Sequence, residues 1–111
     1  MVAKFNRFIA IGVSDKERAA EDFCALFSAS VTDRRDDWVE VTAGPFLFYF
    51  VEEGNRDIAF SVDVADHDSA LAEILARGFT LDRETTERVG ETFVLSPDGM
   101  RINLTVAPST E

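Results

Sequence analysis

Histidine and cysteine are almost missing from this chain of 111 residues, which holds one of each, His67 and Cys24. A single cysteine forms no internal disulfide, so disulfide frameworks and thiolate metal sites are excluded. The lone histidine sits between Asp66 and Asp68 at a predicted helix start, where all three read as capping and dipole-complementing residues. A His-based nucleophilic triad is therefore not expected. No apolar run approaches the ~18 residues of a membrane span, and the opening Met1-Val-Ala-Lys-Phe-Asn-Arg7 lacks the apolar core of a secretory signal, so a cytoplasmic, membrane-free location is expected. Basic residues are scarce as well: 11 Lys and Arg stand against 21 Asp and Glu, a net charge of −10 that repels a phosphate backbone and argues against nucleic acid as a partner.

What the chain does have is apolar area, 46% of its residues, including ten Phe but only one Trp and one Tyr. Its length suits one domain with one core. Phe8-Ile-Ala-Ile-Gly-Val13 reads as a short strand, and Ser14-Asp15 as the cap of a helix over Lys16 to Ser28. Ala19, Ala20, Phe23, Leu26 and Phe27 recur at helical spacing and form its apolar stripe, with Cys24 beside it as a packing thiol. Trp38-Val-Glu-Val-Thr42 alternates with period two. After the turn at Ala43-Gly44-Pro45 comes Phe46-Leu-Phe-Tyr-Phe-Val51, a strand apolar on both faces and hence covered on both. Glu52, Glu53, Gly54 and Asn55 close the first half, the two acids acting as gatekeepers beside an aggregation-prone strand.

The second half repeats this order. Asp57 to Val64 is a strand, Asp66 a cap, and His67 to Gly78 a helix with Ala70, Leu71, Ile74 and Leu75 on its apolar stripe. Thr92 to Leu95 and Met100 to Val106 form a hairpin around Ser96-Pro-Asp-Gly99, where Pro and Gly suit the turn. Overlaid, Phe8-Ile-Ala-Ile-Gly-Val matches Asp57-Ile-Ala-Phe-Ser-Val, and Val13-Ser-Asp matches Val64-Ala-Asp, a repeat of about fifty residues. Val31 to Asp37 and Thr80 to Glu91 each read as an irregular strand or loop. Glu84, Glu87 and Glu91 with Arg83 and Arg88 read as a solvated loop.

The duplicated unit, IGVSD and VDVAD ahead of the helices, and SPDGMRINL at residues 96–104 together resemble the vicinal oxygen chelate superfamily, which includes glyoxalase I, bleomycin-resistance proteins and extradiol dioxygenases. The resemblance covers about residues 5–107. It implies an α+β fold in which two βαβββ modules, about 5–54 and 55–107 of a single domain, form a curved, mostly antiparallel sheet around a cavity with the helices outside. It also implies a homodimer.

Enzymes of that family hold a divalent metal with His and carboxylate ligands that leave positions open for substrate. The matching positions here are Phe8, Phe48, Asp57 and Asn103, which are two phenyl rings, one carboxylate and one amide. No metal and no other cofactor is expected from that set, and the reading leans away from an enzyme. With the family geometry, Phe8, Phe46, Phe48 and Phe50 would point into the cavity as an aromatic box, while Ile9, Ile11, Leu47, Tyr49 and Val51 face the helices. Trp38, Glu40, Asp57, Arg101 and Asn103 would add orienting polar contacts. The expected function is binding of a small aromatic, apolar or cationic π-binding molecule, closest in type to bleomycin-resistance-like members. The alternatives are a metal-dependent lyase, isomerase or dioxygenase with ligands drawn from Asp57, Glu40, Asp63 or a partner chain, and a structural or regulatory dimer whose cavity is filled by its own side chains.

Overall fold

Two strand-helix-strand units follow each other along the chain in a computed structural model that describes residues 3–52 and 57–106. Residues 53–56, among them the gatekeeper Glu53, lie outside the described residues. The elements run β1 (Ala3–Val13), α1 (Lys16–Phe27), β2 (Ser30–Arg34), β3 (Trp38–Ala43), β4 (Phe46–Glu52), β5 (Ile58–Val64), α2 (His67–Ala76), β6 (Thr80–Leu81), α3 (Arg83–Val89), β7 (Thr92–Leu95) and β8 (Arg101–Val106). The class is α+β: β2 with β3, β3 with β4, β6 with β7 and β7 with β8 run antiparallel, and β1 with β4 runs parallel. Contacts divide the chain into one unit of Arg7–Ala59 and another of Phe60 onward together with the segment ending at Asn6.

In the first unit the strands lie in the order β2-β3-β4-β1, with β1 parallel to β4. Helix α1 begins where extended Asp15 accepts a hydrogen bond from the Arg18 amide at 3.0 Å, and it ends at Ser28 in the left-handed region with φ 55°. Ala19, Ala20 and Phe23 of its apolar stripe cover one face of the strands, while Leu26 and Phe27 at its end are exposed. Ala20, Val39, Val41 and Phe50 form the buried cluster there, joined by Ile11, Val13, Phe23, Cys24 and Phe48. Cys24 is thus a packing thiol, half-buried as its place beside the stripe suggests.

The second unit orders its strands β5-β8-β7-β6. Asp66 caps α2 through the Ser69 amide, and Val62, Val64, Ala70, Val94, Ile102 and Leu104 form the buried cluster, with Leu71 and Ile74 of α2 packed on it. The Ser96–Gly99 turn closes as its composition demands: the Gly99 amide donates to the Ser96 carbonyl at 2.9 Å, and Gly99 adopts φ 92°, a conformation that only glycine enters without strain.

Of the two segments expected to carry an irregular strand or loop, the first does carry an irregular strand and the second holds a helix. Residues 31–37 supply most of β2, whose alternation is broken by a register shift between Val31 and Asp33. Within residues 80–91 lies α3, capped by Asp82 and stopped by Gly90 at φ 86°.

Candidate functional site

The turn at Gly44 and Pro45 sets the face of every side chain on β4. Ala43 pairs with Phe46, and the two-residue turn between them places Glu40 opposite Tyr49 and Val39 opposite Phe50. Val39 and Phe50 are buried beneath α1. Phe48 and Phe50 follow the same face, their rings 5.2 and 4.8 Å from that of Phe23 on α1. Phe46 extends the row, 6.1 Å from Phe48 and largely exposed. The sequence reading had these three rings turned away from the helix and Leu47, Tyr49 and Val51 turned toward it. The structure reverses both sets, because the register of a strand with period two flips as a whole.

Phe8 neighbours Tyr49. Phe8 aligns with Leu47 in the parallel pair, and its ring lies 5.8 Å from that of Tyr49. Trp38 meets Tyr49 edge to face at 5.0 Å, with an interplanar angle of 87°. Glu40, two residues from Trp38 and so on the same face, accepts the Tyr49 hydroxyl at Oε2 over 2.6 Å. Its other oxygen, Oε1, accepts from Thr32 Oγ1 at 2.7 Å. Thr32 is the residue at the β2 register shift, and Thr42 donates to it in turn at 3.1 Å. Among the described residues Glu40 takes part in no ion pair, and its carboxylate is held by hydroxyls alone. Burial, and then the hydrogen bond to Glu40, push the Tyr49 phenol well above its ordinary range. The phenol therefore serves as a donor at all ordinary pH values. This group of Phe8, Trp38, Glu40 and Tyr49 lies entirely within the first unit.

The second unit carries a different array on the strand face opposite α2. Asn6 donates from Nδ2 to Ser61 Oγ at 3.0 Å and to Asp63 Oδ1 at 2.9 Å. Ser61 and Thr105 share a hydrogen bond of 3.2 Å. Thr105 donates to Asn103 Oδ1, and Asn103 Nδ2 donates to the Thr92 carbonyl at 3.2 Å. Asn103 is thus one rung of a polar ladder, with both ends of its amide engaged. Arg101 donates from Nε to Asp82 Oδ2 at 2.8 Å, which makes it the anchor of α3.

His67 does more than sit at a cap. Its Nδ1 is 2.9 Å from Asp68 Oδ1 and its Nε2 is 2.6 Å from Thr92 Oγ1. Carboxylate, imidazole and hydroxyl in line is the order used for acyl transfer. Two features set this line apart from such a site. The Asp68 side chain is 98% exposed, and the amide beside Thr92, that of Phe93, is committed to Thr86 Oγ1 at 2.9 Å rather than free to hold an oxyanion. The line ties α2 to β7.

The family metal does not fit these residues. Phe8 and Phe48 offer no donor atom, Phe48 packs on α1, and the Asn103 amide is consumed by its neighbours. Asp57 precedes β5, and its carbonyl accepts the Gly12 amide at 2.9 Å. Among the described residues no three His, Cys, Asp or Glu side chains stand together as ligands would have to.

Tyr49, Thr32, Asn6, Ser61 and Thr105 are missing from the set inferred from sequence. The signal for Tyr49 was present in the two-residue turn at Gly44 and Pro45, from which its pairing with Glu40 follows by counting. Ser61 with Asp63, and Asn103 with Thr105, are polar residues two apart in otherwise apolar strands, the pattern of one shared polar face.

No family model matches the chain, and no curated protein is similar to it. Among solved structures, the hypothetical protein BH1468 from Bacillus halodurans C-125 superposes with a TM-score of 0.72 at 10% identity, over 98% of this chain and 97% of that one. A bleomycin resistance determinant encoded on the transposon Tn5 gives 0.39 at 12% identity, over 92% of this chain and 97% of that one. Glyoxalase I from Zea mays gives 0.40 at 14%, covering 97% of this chain but 46% of the maize protein. The latter two scores are too low to carry an argument, and the first speaks for the fold alone. With the strand-helix-strands unit present twice and the SPDGMRINL hairpin formed as its motif requires, the chain has the vicinal oxygen chelate fold.

Proposed function

We propose that this protein binds a small molecule, without a catalytic metal, on the strand face of its first unit where Phe8, Trp38, Glu40 and Tyr49 meet. The observation that carries the reading is the Tyr49 ring standing between Phe8 and Trp38 with its hydroxyl on Glu40. Three aromatic rings around a few fixed polar atoms are the usual furniture of a small-molecule site. Of the three rings that the sequence placed in that role, Phe48 and Phe50 pack against α1 and Phe46 is largely exposed on the same face. Arg101 and Asn103 are engaged by Asp82 and by the polar ladder of the second unit. Within the same reading the protein works as a homodimer, as the resemblance implies, and in the cytoplasm, as its lack of a long apolar run suggests. Leu26 and Phe27, 71% and 61% exposed at the end of α1, are apolar side chains that an assembly would cover.

Thermal unfolding of chelator-treated protein against a panel of small aromatic and apolar molecules tests this. A compound present at a hundred times its Kd adds about 2.7 kcal/mol, and Trp38→Ala should remove that gain. The opposite result is stabilisation by Zn²⁺, Ni²⁺, Mn²⁺ or Fe²⁺ that disappears in Asp57→Ala, which would revive the metal-dependent enzyme instead. Light scattering on eluting protein should give the mass of two chains, and the mass of one would remove the dimer from the reading.

A further inference from the structure

Among the described residues, Glu40 on the face just described takes part in no ion pair. Glu40 is half-buried, its two oxygens accept from Tyr49 and Thr32, and both donors are neutral hydroxyls. Most other carboxylates of the first unit that take part in side-chain contacts have a basic partner: Glu17 has Arg34, Asp22 has Arg18, Asp33 has Arg35 and Glu52 has Lys16. A carboxylate drawn partly out of water and left without a cation is costly, and hydroxyl donors offset only part of that cost. The residues around Glu40 are the second half of the observation. Trp38 and Tyr49 are the two aromatic types with the most electron-rich faces, and each is the only one of its kind in the chain. The chain also shows what such a ring attracts. The Arg35 guanidinium lies 5.8 Å from the Trp38 ring centroid while its Nε pairs with Asp33 at 3.2 Å, so the indole here already holds one cation beside a carboxylate.

We infer that the ligand of this face is an organic cation, an alkylammonium or a related weakly hydrated positive group, whose charge is met by Glu40 and whose substituents lie against Trp38, Tyr49 and Phe8. This inference rests on the small-molecule reading above and narrows it to one chemical class. A metal ion is the wrong size of charge for the place: it needs several oxygen or nitrogen ligands, and one carboxylate among rings supplies too few. A substituted ammonium is different. Its charge is spread under apolar groups, it sheds water at little cost, and both a carboxylate and a ring face attract it. The net charge of −10 adds a field that draws such a molecule in.

Trp38 is the sole tryptophan, so its fluorescence reports the site directly. The probes are phenyltrimethylammonium and its neutral isostere tert-butylbenzene, titrated into the purified full chain. The expected result is saturable quenching by the cation with a Kd at least about tenfold lower than that of the isostere, the preference shrinking as salt rises. Glu40→Gln should erase the preference, and Glu17→Gln, which removes a charge already paired with Arg34 away from this face, should retain it. Circular dichroism of both variants checks that they fold. Equal affinity for the two probes, or a preference unchanged in Glu40→Gln with the fold intact, overturns the cation while leaving small-molecule binding standing. If neither probe nor any compound of the aromatic panel alters Trp38 emission, both readings fall.

Discussion

The Tyr49 hydroxyl reaches Glu40 Oε2 over 2.6 Å, directly across the β3–β4 pair. Burial first, and the acceptor Glu40 second, raise the phenol's pKa above its ordinary value of 10.0. Because Tyr49 is the only tyrosine, absorbance of the phenolate follows it without interference. Folded protein should show no phenolate as pH passes through 10, and Glu40→Gln should move ionisation down toward the ordinary value. The linkage has a definite sign. A folded-state pKa above the unfolded one means that the contribution is complete below pH 10 and is lost as pH rises beyond it, where the unfolded chain ionises first. Denaturation midpoints measured from pH 8 to 11 should therefore fall at the alkaline end, and less steeply in Tyr49→Phe.

Asp82 offers the acid counterpart. Burial would raise its carboxyl, but hydrogen bonds from the Thr85 hydroxyl and amide and from Arg101 outweigh that, and the pKa lies below its ordinary value. A depressed folded-state pKa contributes stability above the unfolded value near 3.9 that is lost as pH falls through the folded one. Asp82→Asn keeps a side chain able to cap α3 but removes the charge facing Arg101, with both groups more than four-fifths buried. A cost of about 2–4 kcal/mol by urea denaturation is expected. The variant should also lose the share of the acid-range pH dependence that Asp82 contributes.

Much of this architecture could be read from residue order alone, for physical reasons that differ between elements. Asp15 and Asp66 announce helix starts because a carboxylate at that position satisfies an amide that the helix leaves unbonded. The SPDG turn announces itself through a glycine that adopts φ 92°. Helix α3 had the same signals in Asp82 and Gly90, yet a seven-residue helix without an apolar stripe does not stand out from a charged loop. The face of β4 was the costly ambiguity. Phe46 to Val51 alternates between apolar and apolar, so hydrophobicity carries no information about which side is which, and only the turn length decides. That single-residue uncertainty moved Tyr49 out of the candidate site and three phenylalanines into it.

Ser28 ends α1 in the left-handed region with φ 55°, where a residue with a Cβ is strained and glycine is not. It is the one described non-glycine residue with positive φ. Ser28→Gly should stabilise the protein by about 0.5–1 kcal/mol, the relief of strain exceeding the entropy that a glycine adds to the unfolded chain. A rise of about 2–5 °C in the unfolding midpoint is the expected reading.

The two faces of β4 make opposite demands on substitution. Phe50 is 1% exposed and its ring lies 4.8 Å from Phe23, so Phe50→Ala should cost about 3–5 kcal/mol. Phe48→Leu, a gentler change on the same face, should cost about 1 kcal/mol and leave the Kd of a bound ligand unchanged. Phe8→Ala lies on the other side of the strands. It removes a ring that touches Tyr49 and should weaken ligand binding about tenfold or more, since stacking and apolar area at the site are lost together. Measured side by side, the core variants should move the unfolding midpoint and spare the ligand, while Phe8→Ala should move the ligand. An aromatic box made by Phe46, Phe48 and Phe50 would produce the reverse: Phe48→Leu would then weaken the ligand. Whichever variant changes the Kd identifies the face that the ligand uses.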